Sequence, residues 1–110
     1  TPYYQRNQKF IDTKGKVILD VGCGSGWKSL VLAEANPGAK IVCADISEES
    51  VKLAEQRLAY HGIEDAEFYV SGVEELYKLG MKFDYINCDE LLYLFPEPGK
   101  ALEAMRGVLK

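Results

Sequence analysis

A chain of 110 residues is long enough for one globular domain and too short for two. With 47% hydrophobic and 27% charged residues, its composition excludes disordered, fibrous and low-complexity proteins. The net charge of −4 offers no electrostatic footprint for nucleic acid or an anionic membrane, and no apolar run approaches the roughly 20 residues that span a bilayer. Since the first residues also lack the order of a secretory signal, we expect a cytoplasmic protein with no nucleic-acid or membrane partner.

Strands and helices are predicted to alternate along the chain. Four short, mostly apolar runs have the pattern of strands buried on both faces of a parallel sheet, and they cover residues 16–21, 40–46, 66–70 and 82–88. Apolar residues recur at helical spacing over residues 27–35, 48–60, 73–79 and 98–109. This alternation predicts an α/β fold with a doubly wound parallel sheet.

The two ends of the chain carry further expectations. We predict a helix over residues 3–11, ahead of the first strand, and a loop or helical turn over residues 91–95. The apolar fourth strand would leave an exposed sheet edge, which natural proteins pair, charge or cover. We therefore expect residues 1–110 to form a single domain that is truncated after the fourth strand and its helix, or that self-associates through this edge.

A glycine-rich segment over residues 22–26, here called the glycine loop, follows the first predicted strand, at the edge where open α/β sheets bind ligands. Gly22, Gly24 and Gly26 have the spacing GxGxG, which lets the backbone approach a ligand closely. Trp27 stands where the dinucleotide fingerprint GxGxxG needs its third glycine. Asp20 adds a carboxylate beside the loop, which disfavours a pyrophosphate and favours a positively charged ligand such as a sulfonium with an amine.

Asp45 ends the second predicted strand. An acid at this point can accept hydrogen bonds from both hydroxyls of a ribose. The alternative is an aspartate that caps the next helix, a role that Ser47 can fill instead. His61 precedes Gly62 at the other end of that helix, where a cation suits the helix dipole.

The three cysteines, Cys23, Cys43 and Cys88, are an odd number at spacings that fit neither a disulfide scaffold nor a zinc site. We expect reduced thiols in or beside buried strands and no metal site.

At these motifs the chain resembles the class I S-adenosylmethionine-dependent methyltransferases. The matching stretches are VILDVGCGSG over residues 17–26, ADIS over residues 44–47, FDYINCDE over residues 83–90 and the last predicted helix. The resemblance covers almost the whole chain from Lys16. It implies a Rossmann-like sheet with strand order 3-2-1-4, S-adenosylmethionine as cofactor and methyl transfer to an unidentified small-molecule acceptor.

The resemblance also implies a cofactor-binding set, made up of Asp20, Gly22, Cys23, Gly24, Gly26, Asp45, Ile46, Gly72, Val73 and Cys88. In that arrangement the glycine loop lies beneath the methionine part of the cofactor, and Asp20 faces its amine directly or through water. Asp45 would hold the ribose and Ile46 would pack on the adenine. Cys88 would contribute its backbone carbonyl near the amine.

Two positions after the third and fourth strands complete the expected site. Gly72 stands where the family often has an acid that reads the adenine amino group, so recognition of adenine would rely on the backbone near Val73 or on Glu74. Asp89 is the candidate catalytic base or amine-orienting acid, and the alternative is an acid in a turn.

Two other functions stay open at this point. The first is an NAD(P)- or nucleotide-sugar-binding oxidoreductase, for which Asp45 would also suit a ribose, although Trp27 and Asp20 argue against it. The second is a non-catalytic interaction module that keeps the cofactor fold, consistent with the missing acid at Gly72.

Overall fold

The computed structural model describes residues 12–88 and 97–110. The helix predicted over residues 3–11, the turn predicted over residues 91–95 and the candidate residue Asp89 lie outside the described residues. In chain order the elements are β1 (Val17–Val21), α1 (Trp27–Ala35), β2 (Lys40–Asp45), α2 (Glu48–Tyr60), β3 (Ala66–Val70), a 3₁₀ helix (Val73–Leu79), β4 (Tyr85–Asn87) and α3 (Pro98–Arg106).

The four strands form one parallel sheet in the order β3-β2-β1-β4, which confirms the predicted α/β class and the strand order 3-2-1-4. Successive side chains of a strand point to opposite faces of a sheet. Ile18 accordingly packs with apolar residues of α1 and α2, and Leu19 packs with those of the 3₁₀ helix and α3. The sheet is therefore covered on both faces, as its continuous apolar strands require. Within the described ranges, no helix has the length and apolar character needed to cross a membrane.

β4 is shorter than the predicted strand over residues 82–88, and the residues just before it also pair with a second segment. The amide of Phe83 donates to the carbonyl of Val108 at 2.8 Å, and the amide of Lys110 donates to the carbonyl of Phe83 at 2.9 Å. Phe83 and Leu109 thus form a parallel bridge outside the named strands. The segment after α3 therefore pairs with part of the chain that was predicted to lie at an exposed edge.

Asp84 marks the point where the chain enters β4. Its carboxylate accepts a hydrogen bond from the amide of Val17 at 2.8 Å and forms an ion pair with Lys110 Nζ at 3.2 Å. The Val17 amide, and then the Lys110 ammonium, hold the pKa of this carboxyl below its ordinary value. One side chain therefore fastens the start of β1, the entry to β4 and the end of the chain together.

α2 has the predicted caps at both ends. The Ser47 hydroxyl accepts a hydrogen bond from the amide of Ser50 at 3.2 Å, and two glutamates in the first turn suit the helix dipole. At the other end His61 is the C-cap, and its Nδ1 lies 3.0 Å from the carbonyl oxygen of Arg57.

The glycine loop and α2 approach each other closely at Gly26. Its φ is +91°, and a Cβ at this position would lie 2.7 Å from Cα and 2.8 Å from Cβ of Ala54. Gly24 also has a positive φ, +56°, but a Cβ there would meet nothing within 4 Å. Gly26 is thus required by the packing of α2, whereas one side of Gly24 faces open space.

We predict that Gly26→Ala destabilises the protein far more than Gly24→Ala. Both changes place an alanine at a positive φ, which costs roughly 1–2 kcal/mol. Only Gly26→Ala also forces α2 away from the loop, an overpacking that costs a further 1–3 kcal/mol or so. Urea unfolding of both variants measures the difference, and equal losses of stability would contradict the close approach described above.

Candidate functional site at the ends of β1 and β2

The glycine loop is anchored on the strand beside it. The strands are in parallel register with Val21 opposite Ala44. The Ala44 carbonyl accepts hydrogen bonds from the amides of Gly22 at 2.7 Å and Cys23 at 3.1 Å. The loop therefore begins at the carboxyl end of β1 in direct contact with the last residues of β2, the edge at which open α/β sheets bind ligands.

The Asp45 carboxylate joins the loop to the start of α2. Its Oδ2 accepts a hydrogen bond from the amide of Gly24, and its Oδ1 accepts one from the amide of Ser47, both at 2.9 Å. A carboxylate oxygen has two lone pairs, so each oxygen retains the capacity to accept one more hydrogen bond. Two adjacent hydroxyl groups of a ligand match that capacity.

Asp20 lies deeper, with only 2% of its surface exposed. Its carboxylate accepts hydrogen bonds from Ser29 Oγ at 2.6 Å and from Asn87 Nδ2 at 3.0 Å. These bonds tie β1 to α1 and to the end of β4. Sequence analysis missed both partners, although a polar residue within the apolar β4 run was a usable signal.

The two acids of the site lie on the same face of the sheet. Asp20 is opposite Cys43 in the register of β1 and β2, and Asp45 is two residues further along β2. Since neighbouring paired residues point to the same face and side chains alternate along a strand, Asp20, Cys43 and Asp45 share the face that α1 and α2 cover.

The cysteines are free thiols, as predicted. The pKa of Cys23 is raised, first by a hydrogen bond shared with the Cys43 thiol, then by burial and by the nearby carboxylates Asp20 and Asp45. A thiol with a raised pKa stays protonated at neutral pH and is a poor nucleophile. Cys88, one residue after β4, packs against the Leu19 side of the core. Across residues 12–88 and 97–110, no three His, Cys, Asp or Glu side chains are placed to hold a metal ion.

An apolar surface lies next to Asp45, at the ends of β2 and β3. Ile46 is 78% exposed, and a Cβ at Gly72 would lie 3.4 Å from its Cγ2. The nearest atom to that Cβ position is Oε1 of Glu75, at 3.2 Å. Val73 is buried in the core, so only its backbone can face a ligand. Sequence analysis considered Glu74 here and overlooked Glu75.

Arg57, on α2, contacts Ser25 of the glycine loop. Its Nη1 donates to the Ser25 carbonyl at 2.7 Å and lies 3.0 Å from Ser25 Oγ. Its guanidinium carbon is 3.9 Å from the centre of the Trp27 ring, a cation–π contact. Trp27, the first residue of α1, is 62% exposed.

The structure thus brings most of the predicted site residues to one end of the sheet. Asp20 and the loop residues lie at the end of β1, and Asp45 ends β2. Ile46 follows β2, Gly72 and Val73 follow β3, and Cys88 follows β4.

Comparison with known proteins gives consistent results. Residues 12–110 match a family described as "Methyltransferase domain". The ubiquinone biosynthesis O-methyltransferase of Bordetella avium is 36% identical over 101 residues, which are 88% of this chain and 39% of that protein. The chain therefore spans less than half the length of this curated relative.

Solved structures show the same fold. The N-terminal domain of EvdMO1 with SAH bound has a TM-score of 0.78 at 29% identity, over 96% of this chain and 45% of that one. PKMT2 from Rickettsia typhi in complex with AdoHcy has a TM-score of 0.78 at 24% identity, over 100% of this chain and 23% of that one. With the family match over residues 12–110, we conclude that the chain belongs to the methyltransferase domain family.

Proposed function

We propose that this chain is the cofactor-binding part of an S-adenosylmethionine-dependent methyltransferase that acts on a small molecule. The observation that carries the proposal is the Asp45 carboxylate, held by the amides of Gly24 and Ser47 with acceptor capacity left on both oxygens. Family membership supports it, as does the EvdMO1 domain, a similar chain solved with SAH bound.

The residues at this edge suit the parts of such a cofactor. Asp45 would accept hydrogen bonds from the two ribose hydroxyls, and the exposed Ile46 would pack against the adenine ring. Gly24 leaves open space on one side, which admits the methionine part against the backbone. Asp20 is buried and already accepts hydrogen bonds from two donors, so we assign it the role of fixing the end of β1 beneath the amine, which it would contact through water.

When bound, S-adenosylmethionine supplies an electrophilic methyl group on a positively charged sulfur. The task of this chain is then to orient that group and to keep water from it, and such orientation can supply several kcal/mol of the barrier. The name of the Bordetella avium relative supports oxygen as the methylated atom. A hydroxyl acceptor is protonated at neutral pH and needs a base, and Asp89 remains our candidate for that role.

Glu75 is our candidate for reading the adenine amino group. Gly72 has no side chain, and Glu75 Oε1 lies 3.2 Å from the place its Cβ would occupy, beside Ile46. A carboxylate accepts hydrogen bonds and cannot donate them, so it favours an amino group over a carbonyl oxygen at that position of the purine.

Titration calorimetry with S-adenosylhomocysteine tests the role of Asp45. We expect the protein to bind this ligand and not NADH, and Asp45→Asn to weaken binding about tenfold or more, because the amide has one acceptor oxygen and turns an NH₂ group toward a backbone donor. The control is Asp65→Asn, which removes an exposed acid before β3. If the folded protein binds NADH and not S-adenosylhomocysteine, the proposed function is wrong.

Replacing the adenine amino group by oxygen tests Glu75. The protein should bind S-adenosylhomocysteine about tenfold more tightly than S-inosylhomocysteine. Glu75→Gln should reduce this ratio of the two affinities, because the glutamine amide can donate a hydrogen bond to the inosine oxygen. Glu74→Gln, which neutralises the adjacent exposed acid, should leave the ratio unchanged. An unchanged ratio in Glu75→Gln, or an equal change in both variants, would exclude Glu75 from adenine recognition.

A further inference from the structure

Arg57 holds a peptide group of the glycine loop that no bond from the sheet reaches. The first loop residues are fixed by the Ala44 carbonyl, and the Gly24 amide is fixed by Asp45. In the peptide that joins Ser25 to Gly26, the N–H of Gly26 donates to the Cys23 carbonyl at 3.0 Å. The carbonyl of the same peptide, on Ser25, accepts from Arg57.

The hydrogen bond from Arg57 matters because three glycines give the loop many accessible backbone conformations. Gly22, Gly24 and Gly26 all have positive φ values, and glycine loses more conformational entropy on ordering than any other residue. A loop of this kind keeps one shape only if most of its backbone groups have fixed partners. Without the guanidinium, the Ser25–Gly26 peptide would be held from its N–H side alone.

The environment of Arg57 favours a guanidinium over an ammonium. Its Nη1 reaches both the carbonyl and the hydroxyl of Ser25, while the planar group lies against the Trp27 ring at 3.9 Å. A lysine has three N–H donors for these acceptors, but it cannot stack as a plane on an indole. Ser25 and Trp27 flank Gly26, so Arg57 contacts the residue before and the residue after the junction between the loop and α1.

We infer that Arg57 is a positioning residue for the ligand: it holds the glycine loop in the shape that receives the amino-acid part of S-adenosylmethionine. The inference rests on the proposed function. It implies that loss of Arg57 lowers the affinity for ligands that extend over the loop. The affinity for ligands that end at the nucleoside should not change, because Asp45 and Ile46 would hold the nucleoside. A purely structural role in folding would affect both classes of ligand alike.

The test compares two ligands, S-adenosylhomocysteine and 5′-methylthioadenosine, which lacks the amino-acid end. Arg57→Met keeps the apolar stem and removes the guanidinium. We expect it to lower the affinity for S-adenosylhomocysteine about tenfold and to change the affinity for methylthioadenosine by no more than about twofold. Arg57→Lys should lose less affinity for S-adenosylhomocysteine, because it retains the charge and N–H donors for Ser25 and loses only the stacking on Trp27. The matched control on the same helix is Lys52→Met, which removes an exposed cation paired only with Glu48 at 3.8 Å in the described structure and should change neither affinity.

Two results would overturn the inference without touching the proposed function. The first is that Arg57→Met binds both ligands as tightly as the unchanged protein, and the second is that its affinity for both ligands falls by the same factor. If Arg57→Met does not fold, Ser25→Ala decides instead, because it removes only the hydroxyl acceptor and should produce a smaller loss for S-adenosylhomocysteine alone. If the unchanged protein binds neither ligand, the proposed function fails and this inference fails with it.

Discussion

The two hydrogen bonds of the Asp45 carboxylate are the constraint on which the rest of the site depends. One comes from the amide of Gly24 in the glycine loop and the other from the amide of Ser47 at the start of α2. The glycine loop is thereby fixed to the turn between β2 and α2, which lies 21 positions further along the sequence. Because the bonds come from backbone donors, the carboxylate keeps its orientation and its spare lone pairs, which is the preorganisation that a binding site requires.

Several other contacts also fix the position of the glycine loop and the strand ends around it, each through a different kind of interaction. Steric contact sets the distance between the loop and α2, since only a glycine at position 26 allows Ala54 to come so close. Hydrogen bonds to Asp20 connect the end of β1 with Ser29 and Asn87. Each of the three glycines of the loop has at least one fixed partner, so a flexible composition yields a defined shape.

The charges at this edge explain why a pyrophosphate is a poor candidate ligand. The N-terminus of a helix after a glycine loop attracts anions through its amides and its dipole. Here α1 has no acid in its first turn, yet Asp20 and Asp45 lie beside the loop on one face of the sheet. Two carboxylates counteract that attraction and favour a ligand that carries positive charge.

Much of the fold could be predicted from sequence because its signals are local. The apolar runs, the glycine loop and the caps at Ser47 and His61 are each contained within a few residues, and the structure has them close to where they were expected. The last helix is an exception, because it ends at Arg106 and not at residue 109, and Leu109 forms a bridge with Phe83 instead. β4 begins later than predicted, and Phe83 pairs with the segment after α3, a contact that no local pattern predicts.

The geometry of the candidate site could be predicted to the same extent and for the same reason. Asp45 and the loop glycines belong to short motifs, whereas Arg57 meets Ser25 across 32 positions of sequence and Asn87 meets Asp20 across 67. Glu75, which we propose for adenine recognition, was not predicted because the absence of a side chain at Gly72 gives no sign of which neighbouring side chain lies beside it. Residues that act through long-range contacts emerge only when the chain is folded.

The central claim is that Asp45 and the glycine loop together bind the nucleoside and the amino-acid part of one ligand. A crystal structure of the protein with S-adenosylhomocysteine tests it most directly. Our account predicts both ribose hydroxyls within hydrogen-bonding distance of the Asp45 carboxylate and the homocysteine part lying over Gly24, with the loop in the conformation described above. A ligand bound elsewhere, or one whose ribose points away from Asp45, would contradict it.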